Sequence, residues 1–236
     1  MEVREAIILA GGLGTRLQSE VANLPKCMAP INDHPFLFYL IRHLQHQGIE
    51  RFIFSLGYLS THAANYISTL LQDDAYTLVT EPYPLGTGGA VQLAMQQVQG
   101  KDVWVLNGDS ICMVSLEQLL QSHIKHSATC TLALVPMHNF DRYGVVSIDN
   151  MNRITGFQEK KWQEYGLINA GIYLMEVEAF QSFAWPEKFS LENDYLQKYY
   201  ASTPMYGYNE NAYFLDIGIP EDYYRAQREL PLQISL

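Results

Sequence analysis

The sequence has few cysteines, few basic residues and no long hydrophobic run. Its 236 residues include three cysteines, Cys27, Cys112 and Cys130, and these form no CxxC pair. Their odd number and wide spacing predict neither a disulfide framework nor a thiolate zinc site. No apolar stretch approaches the roughly 20 residues that span a bilayer. The first apolar run begins close to Met1, so we expect no signal peptide and a cytoplasmic protein.

Positive charge is also scarce, because 15 Lys and Arg residues stand against 25 Asp and Glu residues, for a net charge of −10. Proteins that bind nucleic-acid backbones or anionic membranes need clustered Lys and Arg. We therefore predict neither kind of partner. A hydrophobic fraction of 48% with 17% charged residues is typical of a folded globular chain.

A glycine-rich segment follows the first apolar run. The residues AIILA at 6–10 predict a short parallel strand that is buried on both faces. Gly11, Gly12 and Gly14 come next, and glycines can adopt positive φ and present bare backbone N–H groups to an anion. The segment is therefore a candidate phosphate-binding loop.

Two common glycine motifs are excluded. A Walker loop requires GxxxxGK[ST], but Thr15 follows the last glycine. A dinucleotide fingerprint requires GxGxxG, but Leu17 stands where the third glycine belongs. An ordinary turn between a strand and a helix is the structural alternative. Arg16 and Lys26 favour a polyphosphate site over that turn, because they supply a fork-shaped and a point positive charge.

Strand and helix patterns alternate through the first half of the chain. They predict strands at 51–56, 76–80 and 103–106, and helices at 35–47, 61–71 and 88–98. This order implies a mostly parallel sheet with right-handed crossovers, in which ligands bind beyond the carboxyl ends of the strands. The glycine segment, Glu81 and Asp109 all follow strand ends, so we expect them to line one crevice.

The second half is less regular. Its patterns predict strands at 129–135, 143–148, 154–159 and 167–175, and helices at 116–126, 191–200 and 221–229. The pairs His43/His46 and His123/His126 have helical spacing, but each lacks a third ligand nearby. We interpret both pairs as solvated helix faces.

Several motifs together resemble those of the sugar-1-phosphate nucleotidyltransferases. GGLGTRL at 11–17 followed by PKCMAPI at 25–31 is similar to the family signature GGxGTRL…PKPM, with Cys27 in place of the usual proline. Later matches, in the family's order, are EP at 81–82, LGTGGA at 85–90, NGD at 107–109, YGVV at 143–146, EK at 159–160, NAGIY at 169–173 and DIGIP at 216–220. The chain most resembles the short guanylyltransferases that act on D-glycero-α-D-manno-heptose 1-phosphate.

The resemblance implies an α/β fold with a Rossmann-like, mostly parallel mixed sheet flanked by helices, and a mixed α/β second half that binds the sugar. We expect one nucleotidyltransferase domain over 1–236, with residues 1–110 binding the nucleotide and 111–236 the sugar phosphate. In the implied reaction the sugar phosphate attacks the α-phosphorus of a nucleoside triphosphate, and pyrophosphate leaves. No general base is required, because a phosphate monoester with a second pKa of about 6 is largely ionised at neutral pH.

The resemblance also assigns roles to residues. Arg16, Lys26, Asp109 and Asp216 form the implied catalytic set, and the two aspartates are the expected ligands of Mg²⁺. The implied nucleotide-binding residues are Leu9, Gly11, Gly12, Gly14, Thr15, Arg16, Lys26, Glu81, Gly86, Thr87, Gly88, Asn107 and Gly108. The implied sugar-phosphate residues are Asp109, Gly144, Glu159, Lys160 and Asn169. Structural alternatives remain: Asp109 as a turn residue, Asp216 as a helix-entry residue, and Glu159-Lys160-Lys161 as a solvated turn.

The choice of base depends on Glu81. A carboxylate offers two acceptors side by side, which match the adjacent N1–H and N2–H₂ donors of guanine. This match favours GTP as the nucleotide. Glu81 could equally cap the helix predicted to begin near Gly88.

Three functional hypotheses remain. The first is a Mg²⁺-dependent guanylyltransferase that acts on heptose 1-phosphate. The second is a relative that uses another sugar phosphate, such as mannose 1-phosphate or N-acetylmuramate 1-phosphate, the latter with UTP. The third is a non-catalytic nucleotide-sugar sensor, which the presence of Arg16, Lys26, Asp109, Lys160 and Asp216 disfavours. Formation of a homo-oligomer stays open.

Overall fold

A parallel sheet forms the first half of the molecule. The computed structural model describes residues 2–12, 17, 20–21 and 23–234. Strand β1 (Glu5–Leu9) lies between β4 (Arg51–Leu56) and β6 (Asp102–Asn107), and β5 (Tyr76–Thr80) pairs with β4; all three pairings are parallel. The predicted parallel arrangement of these strands is confirmed.

Helices cover both faces of this sheet. They are α1 (Phe36–His46), α2 (Ser60–Leu70) and α3 (Gly86–Met95), and a short hairpin of β2 (Pro30–Ile31) and β3 (His34–Pro35) precedes α1. Because side chains alternate along a strand, Ile8 packs in one core with Leu40 of α1, while Ile7 packs in the other with Val91 of α3. Burial on both faces explains why β1 has a continuous apolar run.

The second half of the chain extends the same sheet mostly with antiparallel strands. β8 (Cys130–Phe140), β9 (Val145–Ile148) and β10 (Ile154–Gln158) precede the 14-residue β11 (Gln163–Glu176). The sheet order is β10-β9-β11-β6-β1-β4-β5; β8 pairs with β11, and β12 (Met205–Asn209) pairs with β8. The predicted mixed sheet is therefore confirmed. The register of β11 shifts between Asn169 and Tyr173.

The remaining elements comprise a second small sheet and further helices. These are β7 (Ser110–Cys112), α4 (Leu116–Lys125), α5 (Val177–Gln181), a π-helix (Leu191–Leu196) that continues into α6 (Gln197–Tyr199), β13 (Phe214–Asp216) and α7 (Pro220–Gln233). The sequence patterns did not predict β7, β12, β13 or α5. The helix predicted over 191–200 is mostly π-helical rather than α-helical.

One histidine pair differs from its interpretation as a solvated helix face. His123 on α4 is 4% exposed, and its Nδ1 lies 2.8 Å from the hydroxyl of Thr131 on β8. The helix packs this side against the sheet, so the histidine is a hydrogen-bonded core residue. Across residues 2–12, 17, 20–21 and 23–234, no helix is long and apolar enough to cross a membrane.

Candidate active site

The site centres on one lysine that binds two aspartates. Nζ of Lys26 lies 2.6 Å from Oδ2 of Asp109 and 3.2 Å from Oδ1 of Asp216. The lysine side chain is 11% exposed, whereas the aspartate side chains are 39% and 23% exposed. The ammonium group is therefore held between two carboxylates that both remain open to solvent.

Backbone hydrogen bonds bring these three residues together. Lys26 begins a 3₁₀ turn after Pro25. Asp109 follows β6, and the N–H of Gly108 donates to the carbonyl of Leu9 at 2.9 Å, which fixes this corner to β1. β13 pairs with β7, and the N–H of Ile217 donates to the carbonyl of Asp109 at 3.1 Å.

The first of two adjoining cavities lies beside the glycine segment and is called here the glycine-side cavity. Its volume is about 580 Å³. Its lining comprises Leu9, Gly11, Gly12, Gly57, Tyr58, Glu81, Pro82, Tyr83, Pro84, Gly86, Thr87, Ala90, Asn107, Asp109 and Glu192. Eight of the predicted nucleotide-binding or catalytic residues are thus in one place: Leu9, Gly11, Gly12, Glu81, Gly86, Thr87, Asn107 and Asp109.

Glu81 lies at the wall of the glycine-side cavity, immediately after β5. Its Oε2 accepts a hydrogen bond from the N–H of Leu85 at 2.9 Å, directly before α3. Burial raises the pKa of this carboxyl group, although the bond from Leu85 opposes the effect. A methyl group on Gly11 would lie only 2.5 Å from Oε1 of Glu81. One oxygen of Glu81 thus holds the residue that directly precedes α3, and the other faces Gly11.

The start of α3 is fixed by contacts with the π-helix segment. Gly86 has φ +73°, and a Cβ there would lie 2.5 Å from the carbonyl oxygen of Phe189, so this position requires glycine. The N–H of Gly88 donates to the same carbonyl at 3.0 Å. The hydroxyl of Thr87 donates to Oε2 of Glu192 at 2.7 Å. The hydroxyl of Thr87 is thus used within the protein, at the edge of the glycine-side cavity.

The second cavity lies over the end of β6, the start of β9 and the bulge in the middle of β11, and is called here the sheet-end cavity. Its volume is about 510 Å³, and it contains Lys26, Asp109 and Asp216. All the predicted sugar-phosphate residues line it, namely Asp109, Gly144, Glu159, Lys160 and Asn169. Both cavities reach Asn107, Asp109 and Glu192. They therefore meet beside Lys26, Asp109 and Asp216, which are called here the Lys26 cluster.

Asn169 is held in place by its own strand. Its amide nitrogen donates to the hydroxyl of Tyr173 at 2.9 Å, and its Oδ1 accepts from the N–H of Gly171 at 3.0 Å. Gly171 has φ +73°, and a Cβ there would lie 2.4 Å from the side chain of Asn107. The bulge in β11 thus brings the strand against the end of β6.

Sequence reasoning missed two residues beside Asp216. The hydroxyl of Tyr143 donates to Oδ2 of Asp216 at 3.5 Å, and Arg142 donates to that hydroxyl at 3.3 Å. Arg142 also pairs with Asp222 at the start of α7. Burial and the nearby Asp216 charge raise the pKa of Tyr143, so its hydroxyl stays protonated and can donate. Tyr143 is part of the YGVV motif, in which the resemblance assigns a role only to Gly144.

Gly14, Thr15 and Arg16 lie outside the described residues, so their predicted roles stay predictions.

Cys27, which replaces the usual proline, is 2% exposed, and burial raises the pKa of its thiol to about 12. A thiol in this state is not a nucleophile.

The donor set at the Lys26 cluster fits a hard divalent cation. Within the described part of the chain, no group of three or more His, Cys, Asp and Glu residues is placed to hold a metal ion. Asp109 and Asp216 nevertheless each direct one oxygen at the ammonium group of Lys26. Mg²⁺ typically uses one or two carboxylates and completes its shell with phosphate oxygens and water. Two open carboxylates at the edge of a cavity meet that requirement.

Comparisons with known proteins show clear relatives. The profile of the family described as Nucleotidyl transferase matches residues 5–232. The D-glycero-alpha-D-manno-heptose 1-phosphate guanylyltransferase of Aneurinibacillus thermoaerophilus is 43% identical over 226 residues, which cover 96% of this chain and 98% of that protein. The enzyme of the same name from Campylobacter jejuni is 41% identical over 93% of this chain and 97% of that protein.

More distant relatives and solved structures agree with this pattern. The mannose-1-phosphate guanylyltransferase of Mycobacterium tuberculosis is 31% identical over 96% of this chain and 64% of that protein. Crystal structures of HddC from Yersinia pseudotuberculosis, one of them complexed with GMP-PN, have TM-scores of 0.87 and 33% identity. These alignments cover 96% of this chain and 99% of HddC.

Proposed function

This chain belongs to the nucleotidyl transferase family, and we propose that it transfers a guanylyl group from GTP to D-glycero-α-D-manno-heptose 1-phosphate. One observation carries the proposal: Lys26, Asp109 and Asp216 converge where two cavities meet. The two relatives with 41–43% identity over nearly their whole length support the choice of substrates.

The two cavities suit two substrates that must react end to end. GTP would occupy the glycine-side cavity, with its base near Glu81 and its phosphates near Gly11 and Gly12. The sugar phosphate would occupy the sheet-end cavity. Its phosphate oxygen would then approach the α-phosphorus beside Asp109, and pyrophosphate would leave toward the glycine segment. Two anions must come together in this step, so catalysis consists mainly of positioning and charge neutralisation.

Asp109 and Asp216 would hold a Mg²⁺ ion at the junction of the cavities. When bound, such an ion neutralises charge on the reacting phosphate oxygens. Lys26 lies within reach of the same place and would bind phosphate through its three N–H donors. Arg16, in the glycine segment, would add a bidentate contact to the triphosphate.

The exposed end of the sheet-end cavity would hold the sugar. Lys160 supplies a positive charge for the sugar phosphate, and Glu159 supplies acceptors for hydroxyl groups. Gly144 would contribute its backbone N–H. Asn169, already oriented by Tyr173 and Gly171, would contribute contacts near the reacting phosphate.

Glu81 is the residue we propose for guanine selection. Its Oε1 and the free lone pairs of Oε2 lie at the wall of the glycine-side cavity. They could accept from N1–H and N2–H₂ of guanine while Oε2 keeps its bond from Leu85. An acceptor-only group of this kind disfavours bases that present an acceptor at the same edge.

The proposal is tested by measuring pyrophosphate release with GTP, ATP, CTP and UTP against a panel of sugar 1-phosphates. We expect the highest kcat/KM for GTP with D-glycero-α-D-manno-heptose 1-phosphate. Preference for mannose 1-phosphate would change the assigned sugar but keep the reaction class. Preference for UTP would contradict the role of Glu81. Nucleotide binding without turnover on any sugar would favour a sensor and overturn the proposal.

A further inference from the structure

Lys26 lies at the position that a divalent cation would need. Its ammonium group contacts one oxygen from each aspartate, at 2.6 Å from Asp109 and 3.2 Å from Asp216. The same two carboxylates are the proposed metal ligands. Because the same two carboxylates would have to bind both, a metal ion and the ammonium group would compete for their oxygens.

We infer that Lys26 keeps the divalent cation out of the empty site, so that the metal is taken up together with the nucleotide. This inference rests on the proposed function, because it assumes that Asp109 and Asp216 hold the metal. It adds a role for Lys26 in the nucleotide-free site.

Local charge gives the physical reason. Two carboxylates and one ammonium group carry a net charge of −1, and the ammonium group is largely shielded from solvent because the Lys26 side chain is only 11% exposed. Addition of a divalent cation beside the ammonium group would create strong repulsion. Other cations at the sheet-end cavity do not substitute for Lys26, because Arg142 is paired with Asp222 and Lys160 has an exposed side chain.

The triphosphate would remove this obstacle by giving Lys26 another partner. A lysine side chain has a flexible four-carbon stem, so its ammonium group can move between carboxylates and phosphates without a backbone change. Pro25 and the 3₁₀ turn hold the backbone itself in place. Both carboxylates then become available, and the phosphate oxygens complete the ligand shell.

The test measures Mn²⁺ binding without nucleotide, by the loss of the free Mn²⁺ signal in electron paramagnetic resonance. We expect weak binding to the wild-type protein and an affinity about tenfold or more higher in Lys26→Met, because the competing charge is gone. Lys26→Arg keeps the charge, and Lys160→Met removes a charge elsewhere in the cavity, so both should bind Mn²⁺ as weakly as the wild type.

A double variant locates the site. Lys26→Met combined with Asp216→Asn should lose the gain in affinity. Equal Mn²⁺ affinity of the wild type and Lys26→Met would overturn the inference, as would a gain that survives loss of Asp216. If Lys26→Met fails to fold, Lys26→Gln provides the same neutral change.

The pyrophosphate assay separates this inference from the proposed function. An active wild-type enzyme whose Mn²⁺ affinity does not depend on Lys26 would overturn the inference alone. A wild-type protein that is inactive with every substrate pair would overturn the proposed function, whereas the Mn²⁺ titration would still decide whether Lys26 competes with the cation.

Discussion

Thr87 and Glu192, which are 105 residues apart in the chain, are joined by a 2.7 Å hydrogen bond from the threonine hydroxyl to Oε2 of the carboxylate. The same hydroxyl accepts from the N–H of Leu191 at 2.9 Å. Ser190 donates a further hydrogen bond to Oε2 of Glu192 at 2.9 Å. The first turn of α3 and the π-helix are thus tied together at a residue that lines both cavities.

Thr87→Val should lower both stability and substrate affinity. The change removes the donor to Glu192 and leaves the N–H of Leu191 without its acceptor, at a cost of about 1–3 kcal/mol in the free energy of unfolding. KM should rise for both substrates, because Glu192 borders both cavities. Urea unfolding and steady-state kinetics measure these effects. Thr87→Ser keeps the hydroxyl and should behave like the wild type; an equally stable valine variant would contradict the structural role.

Gly11→Ala and Gly12→Ala should differ in stability although the glycines are adjacent. A Cβ on Gly11 would lie 2.5 Å from Oε1 of Glu81 and 3.2 Å from the backbone nitrogen of Gly57, whereas a Cβ on Gly12 would meet nothing within 4 Å. Overpacking of this kind costs about 1–3 kcal/mol. Thermal unfolding of the two variants without ligand makes the comparison. Equal melting temperatures would show that Glu81 can move aside freely.

Glu81→Gln should reduce the preference for GTP over UTP. The amide oxygen can keep the bond from Leu85, which leaves the NH₂ group facing the donors of guanine. Such an unmatched contact costs about 1–3 kcal/mol, or roughly 5- to 150-fold in specificity. Competition assays with GTP and UTP measure the ratio of kcat/KM, and KM for the sugar phosphate serves as the internal control. An unchanged ratio would leave Glu81 with only its contact to Leu85.

The titration of Glu81 should also appear in the pH dependence of stability. Burial raises its folded-state pKa above the ordinary value of 4.5. Between these two pKa values the folded chain retains a proton that the unfolded chain has released, so this group's contribution to stability falls as pH rises. The stability of Glu81→Gln relative to the wild type should therefore grow as pH rises from 4.5. Urea unfolding across this pH range provides the measurement, and a pH-independent difference would argue against a raised pKa.

Asp109→Asn and Asp216→Asn should each lower turnover while the fold survives. Each change halves the negative charge proposed to hold Mg²⁺, and metal stabilisation of the transition state is worth several kcal/mol, or roughly 10³-fold in rate. The drop should be measured as kcat at saturating Mg²⁺, with circular dichroism as the check on folding. Near-native turnover in Asp216→Asn would exclude that residue from the metal site.

Much of the first half of the fold could be predicted because its strands are short and rich in apolar or β-branched residues, and β1 and β4 at the centre of the sheet are mostly buried. Residues 51–56 and 76–80 were predicted with the bounds that β4 and β5 have in the structure. Prediction failed for strands that form because a neighbouring strand pairs with them and not because their own residues favour a strand. β7 and β13 have three residues each, and each exists because the other lies beside it.

In the candidate site, too, some contacts could be predicted from the sequence and others could not. The motifs pointed to Lys26, Asp109 and Asp216, but the residues lie 83 and 190 positions from Lys26 along the chain. No local pattern indicates that the three residues meet; the pairing of β7 with β13 brings Asp109 and Asp216 together, and Lys26 reaches both from its 3₁₀ turn. The bond of Glu81 to Leu85 is different, because four residues separate them and a helix-capping role could be anticipated.

The long strand β11 has a consequence for how such proteins diversify. Its C-terminal part pairs with β6, whereas its N-terminal part pairs with β8 and contacts β9 at the outer end of the sheet. At that outer end the sheet-end cavity is lined by Gly144, Glu159 and Lys160, which lie beside β9 and β10, so substitutions there can reshape the cavity without disturbing β1, β4 and β6. If this cavity binds the sugar, as proposed, a lineage could exchange one sugar for another by point mutation, while the geometry of phosphate transfer is inherited unchanged.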